Sequence, residues 1–169
     1  MLRRTLVLGG ALSVVLYGAG TLARQNPTLP NDHLTGTWIL NVGQSKFSPA
    51  EMAPKSQRVR VTVTQAGVKV TADGVNGAGE ATHSEHTAKF DGKDYPWTGT
   101  IAGKPDPNQD AVSWKQVDEW TYDITNKLKG KATTMFHVVI SKDGKSATNT
   151  ITGTGPQGPV NATAMYTKQ

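Results

Sequence analysis

Gly36-Thr37-Trp38-Ile39-Leu40-Asn41 opens a run of short alternating segments that continues to the last residue. Gly36 has no Cβ, so a neighbour can approach its backbone closely. Trp38 and Leu40 follow on the same face of an extended chain, and Ile39 points to the other. A large ring entering beside a glycine suits the closed end of a small barrel, where one side chain plugs a wide gap. Taken alone, the triplet reads equally well as an ordinary core tryptophan on the first strand of any β domain.

The period-2 pattern spreads outward from this stretch. Val59, Val61 and Val63 share one face, and Arg58, Arg60, Thr62 and Thr64 share the other. Ala66-Gly67 turns the chain, Val68 and Val70 repeat the pattern, and Asp73-Gly74 and Asn76-Gly77 mark a turn or loop tip. Ser84, His86, Ala88 and Phe90 then fall on one face before the hairpin signal Asp91-Gly92. Tyr95-Pro96-Trp97 begins a return strand, with Pro96 marking a strand start, an edge or a bulge. Beyond a Gly/Pro-bearing loop at 102–110, Val112 and Trp114 share a face; so do Trp120, Tyr122, Ile124, Asn126 and Leu128; so do Thr134, Phe136, Val138 and Ile140. Asp143-Gly144 turns into a strand at 147–154, residues 155–159 read as a loop, and Val160, Ala162, Ala164 and Tyr166 close the chain.

One segment breaks the rhythm. The first strand is expected to end near Asn41, and in 42–54 Phe47 and Met52 are the large apolar side chains apart from Val42. Pro49 and Pro54 limit any helix there to a turn or two. The segment reads as a short lid over one end, or as a surface loop with two anchors. About ten strands with closely spaced turns predict an all-β fold, an antiparallel up-and-down β-barrel of about 8–10 strands. Closing such a sheet buries one apolar face and removes its edges.

The ends of the chain carry separate signals. Arg3 and Arg4 precede an apolar or small run from Thr5 to Leu16, and Thr21 and Ala23 occupy the −3 and −1 positions of a cleavage site before Arg24. Residues 1–23 are thus expected to be a signal peptide, 24–33 a Pro-bearing linker and 34–169 the barrel domain. A leader kept as an anchor is the alternative, since the apolar run approaches the ~20 residues that span a bilayer. Either way the body is exported, to the periplasm or the extracellular space, with no membrane span once the leader is cleaved. The absence of cysteine excludes disulfides and thiolate metal sites. Losing Arg3 and Arg4 from the 18 basic residues leaves 16 against 13 acidic ones, a mild +3. With no basic groove of interleaved aromatics, nucleic acid is not an expected partner.

Gly36-Thr37-Trp38 near the mature N-terminus, the leader and the hairpin meander together resemble lipocalin-like proteins of the calycin group. The segment after the first strand also resembles the fatty-acid-binding branch, whose first strand is followed by a helical lid. Gly36-Thr37-Trp38-Ile39-Leu40-Asn41, Ser45-Lys46-Phe47 and Asp91-Gly92-Lys93-Asp94-Tyr95 are similar to a group of small exported bacterial proteins of unassigned function. The resemblance implies an antiparallel barrel with an apolar cavity. Where lipocalins pack a C-terminal arginine on the first-strand tryptophan, this chain offers Lys168.

The chemistry of the remaining residues favours binding over catalysis. His83 and His86 point to opposite faces of their strand and cannot chelate one ion together, so no metal site and no cofactor is expected. No Gly-x-Ser-x-Gly turn occurs, and the acid pairs sit in turns, so no enzymatic activity is expected. The expected ligand is a small hydrophobic or amphipathic molecule held in the barrel, with Trp38, Val61, Ser84, His86, Trp114, Tyr122 and Phe136 as its contacts. Gln116 and Asn126 are further inward polar candidates. A filled barrel acting as an envelope structural or interaction module is the alternative.

Overall fold

The computed structural model describes residues 33–155 and 158–169, so the leader and all of the linker but His33 lie outside the described residues. Eleven strands follow in order: β1 (Gly36–Ser48), β2 (Ser56–Thr64), β3 (Gly67–Val75), β4 (Ala81–Ala88), β5 (Asp91–Ile101), β6 (Lys104–Pro105), β7 (Ala111–Gln116), β8 (Thr121–Leu128), β9 (Lys131–Ile140), β10 (Ser146–Gly155) and β11 (Gly158–Lys168). All pairings are antiparallel, and ten strands close into a meandering barrel in which β1 pairs with both β2 and β11. The two-residue β6 lies against β5 outside the ring. The fold is an all-β, antiparallel up-and-down barrel.

The first strand is longer than its sequence pattern indicates. It passes Asn41 and runs to Ser48 through a bulge, where its register against β11 shifts between Asn41 and Lys46. Side chains stitch that irregularity. Ser45 Oγ donates to Asn41 O at 2.7 Å and accepts from Met165 N at 2.9 Å, standing in for a ladder bond. The bulge breaks the alternation that would have marked a continuous strand. The lid is correspondingly small, a single 3₁₀ turn at Ala50–Met52.

Three turn assignments also change. Asp73 and Gly74 belong to β3, and the chain reverses at Asn76–Gly79, where Gly79 N donates to Asn76 O and Asn76 N to Glu80 O. β10 and β11 stay paired as far as Gly155 and Gly158, so most of the segment read as a loop is strand. Trp120 sits in the β7–β8 turn rather than on a strand, stacked on His33 with centroids 3.7 Å apart.

β5 is shared between two neighbours. Its first half, Asp91 to Pro96, pairs with β7, and its second half, Trp97 to Ile101, pairs with β4. Pro96 has no N–H to donate and stands where the strand changes partner.

The ends of the barrel differ. The chain enters at the end bearing the β2–β3, β4–β5, β7–β8 and β9–β10 turns, and this end is filled. Trp38 is 5% exposed and donates Nε1–H to Leu34 O at 2.9 Å. Lys168 Nζ lies 5.3 Å from the centre of that ring and donates to His33 O at 3.1 Å. The stem of Lys168 crosses Gly36, where a Cβ would come within 2.5 Å of its Cε and where φ is +147°. Trp114, Tyr122 and Phe90 complete the plug as mutually tilted and edge-on rings with centroids 5.8–6.5 Å apart. Such aromatic pairs each contribute about 0.5–1.5 kcal/mol beyond their buried area.

Trp38→Ala is therefore expected to cost about 3–5 kcal/mol, by loss of transfer free energy and creation of a void. Lys168→Met, which keeps the stem and removes the charge, is expected to cost about 1 kcal/mol or less. Urea denaturation midpoints compared across the two variants check both values.

Candidate ligand cavity

Above the plug, the alternation that filled the closed end supplies smaller side chains. Val59, Val61, Val70, Ala72, Ser84, Ile124, Phe136 and Val138 all project inward, and together with Trp38, Trp97 and Trp114 they surround a cavity of about 230 Å³. Trp97 lies flat over Gly99, two residues on, where a Cβ would sit only 2.1 Å from the indole ring. Without that glycine the ring could not lie along the wall. Gln109, from the loop before β7, lines both this cavity and a wider space of about 420 Å³ at the opposite end from the plug, bordered by Phe47, Met52, Leu128 and Ile151. The anchors of the reduced lid thus border the mouth.

Six of the seven sequence-predicted contacts, Trp38, Val61, Ser84, His86, Trp114 and Phe136, line the inner cavity. Tyr122 does not. It is fully buried in the plug below, and its hydroxyl donates to Glu119 O at 3.2 Å. Burial, with Asp118 and Glu119 adding negative charge, pushes the Tyr122 hydroxyl up to about 12. Asn126 lines the cavity, whereas Gln116 sits lower, beside Tyr122.

Sequence reasoning passed over Gln57, Trp97, Gln109, Asn149 and Tyr166, which also line the cavity. The signal for Gln57 and Asn149 was present. Gln57 shares the phase of Val59 and Val61, and Asn149 that of Ala147 and Ile151. Gln109 comes from an irregular loop and carries no periodic signal. The Tyr166 hydroxyl donates to Gln57 Oε1, and burial raises its pKa well above the ordinary phenol value.

His86 is the one titratable imidazole on the wall. Trp114 Nε1–H donates to His86 Nε2 at 3.0 Å. Indole nitrogen can only donate, so Nε2 must accept and the ring proton sits on Nδ1. Burial lowers the His86 pKa from 6.5 to about 4, in agreement with a ring locked in its neutral form. His86 Nδ1 and Asn149 Oδ1 are shut from solvent and have no protein partner among the described residues.

The other histidines face outward and pair with carboxylates. His83 Nδ1 donates to Asp73 Oδ1 at 2.7 Å, and Arg60 donates to the other oxygen of the same carboxylate at 2.7 Å. These two bonds, His83 first, hold the Asp73 carboxyl below its usual range. His137 Nδ1 lies 2.7 Å from Asp123 Oδ1, and His33 Nε2 lies 3.1 Å from Glu119 Oε1. Among the described residues, no group of three His, Cys, Asp or Glu side chains converges to hold a metal.

The structure resembles that of zebrafish ileal bile acid-binding protein complexed with cholic acid. The TM-score is 0.51 with 12% identity, covering 81% of this chain and 99% of that one. The shared feature is the barrel. No family model and no curated protein sequence matches the chain.

The depressed His86 pKa gives a signed prediction. Below pH 6.5 the unfolded chain takes up a proton that the folded ring refuses until about pH 4, so stability present at neutral pH is lost as pH falls. About 2 kcal/mol should disappear between pH 7 and pH 5 on this account. Urea midpoints measured across that window should show the slope in the wild type and a flatter line in His86→Leu.

Proposed function

We propose that this chain is an exported, non-enzymatic binding protein that holds a small apolar or amphipathic molecule inside its barrel. The observation that carries this reading is the 230 Å³ cavity between an aromatic floor and an open upper end. It lies just below the range of about 300–1,000 Å³ of ordinary ligand pockets and has their composition, an apolar lining with a few polar groups. The mouth space beyond Gln109 adds room for a longer molecule. The similar barrel of the zebrafish ileal bile acid-binding protein holds cholic acid, which supports a ligand-holding barrel over a filled one.

Burial of apolar ligand surface would drive binding, at roughly 25 cal/mol per Å² before the costs of immobilisation. Trp38, Val61, Trp114 and Phe136 would form the walls, with Ser84 and His86 among the polar groups that orient the molecule. Tyr122 would act indirectly, by fixing the floor.

Three of the four tryptophans, Trp38, Trp97 and Trp114, line the cavity, and Trp120 lies outside it. Titration with the neutral probe N-phenyl-1-naphthylamine should therefore give saturable quenching of tryptophan emission and a rise in probe emission. Val59→Phe, which places a ring in the cavity, should weaken the probe roughly tenfold or more while the far-ultraviolet circular dichroism is unchanged. A flat titration of the wild type would overturn the reading.

A further inference from the structure

We infer that the cavity selects uncharged amphiphiles and rejects carboxylates and amines of the same apolar body; this rests on the binding reading above. The argument is electrostatic and begins with what the walls lack. Among the described residues, no Lys, Arg, Asp or Glu lines the inner cavity, and none lines the mouth space above it. Asp106 stands at a lateral opening between the β3–β4 and β5–β7 ends, where Asn108 already donates to it at 2.7 and 2.8 Å. A ligand carboxylate entering the barrel would shed water with no cation to meet it, and an ammonium would find no anion inside. Burying an unpaired charge is among the costliest events in a protein interior.

His86 cannot supply the missing cation. Its Nε2 is committed as an acceptor to the Trp114 indole, so protonating the ring would break that bond. Burial disfavours the imidazolium as well.

The walls instead offer neutral dipoles. His86 on β4 and Asn149 on β10 are five strands apart in a ring of ten, on opposite walls. Both side chains are neutral, and their unpartnered atoms, a donor on His86 and an acceptor on Asn149, are shut from solvent. Ser84, Asn126 and Gln109 add amide and hydroxyl groups on the same lining. Alcohol, amide or carbonyl groups match such an array, because each exchanges hydrogen bonds without carrying charge into it.

The test uses one chain length with three head groups. Decanol, decanoate and decylamine compete at pH 8 against N-phenyl-1-naphthylamine on the wild-type protein. Decanol should displace the probe at least roughly tenfold more tightly than either charged form, a modest demand against the cost of burying an unpaired ion. Ser84→Arg, which brings a guanidinium to the lining near the lateral opening, should raise decanoate affinity by roughly tenfold or more and narrow the gap to decanol. Decanoate or decylamine binding as well as decanol overturns the inference while leaving the binding cavity in place. So does a bound probe that none of the three displaces. Absence of any probe signal overturns the inference together with the reading on which it rests.

Discussion

The structure depends on closing a ring of ten strands through one strand that must pair on both sides. β1 carries that closure. Its first residues pair with β2 at Gly36 to Ile39, while its length runs along β11 from Trp38 to Ser48. Without β1 the other strands would form an open sheet with exposed edges at β2 and β11, and edges invite pairing with other chains. The residues at the closure answer this need directly. The Trp38 indole is tied to Leu34, the Lys168 ammonium lies over the ring, and Gly36 leaves space for the Lys168 stem. Closure and floor are thus one construction.

A fixed floor determines what lies above it. Large rings from β1, β7 and β8, with Phe90 at the β4–β5 turn, fill the lower end, because ten tilted strands enclose more width than aliphatic side chains span. Higher up, the same inward phase is held by Val59, Val70, Ala72, Ser84 and Asn149. These are too small to meet across the barrel, so the interior stays open. The transition is marked by the Trp114–His86 bond, which joins the plug to the cavity wall and sets the tautomer of the imidazole. Burial, with that bond holding Nε2 as an acceptor, keeps His86 neutral, and hence the lower wall stays uncharged across the physiological range.

Much of this was legible in the sequence, and the failures have physical causes. Period-2 alternation located the strands, because a closed barrel buries one face of each strand and leaves the other in water. It also placed Trp38, Val61, Ser84, His86, Trp114 and Phe136 inward, where they line the cavity. Alternation gives the face but not the height along the barrel axis, so Tyr122, correctly inward, was assigned to the wall when it belongs to the floor. The β1 bulge shifts the phase between Asn41 and Lys46, which made one strand look like a short strand and a loop. Asp73-Gly74 has the composition of a turn, yet the ion pair of Asp73 with Arg60 and its hydrogen bond with His83 tie it to both neighbouring strands within the sheet. Gln109 reaches the cavity from a loop, and nothing in its local pattern announces that.

The uncharged lining is itself a consequence of register. On β4 the inward residues are Ser84 and His86, and the outward ones are His83 and Glu85. A slip of one residue would exchange the two sets and bring a carboxylate into the barrel, since successive side chains point to opposite faces. The β3–β4 turn resists that slip. Asn76 bonds Glu80 through both backbone and side chain, and the Asp73–His83 pair locks the facing positions on the outer surface. Outside β4 the same division holds: Asp94 with Lys127 and Asp123 with His137 keep their charges on the exterior. These exposed pairs contribute little to stability individually. Their larger consequence is to keep each strand in the phase that leaves the cavity neutral, so the chemistry of the interior is set by contacts on the opposite face of the sheet.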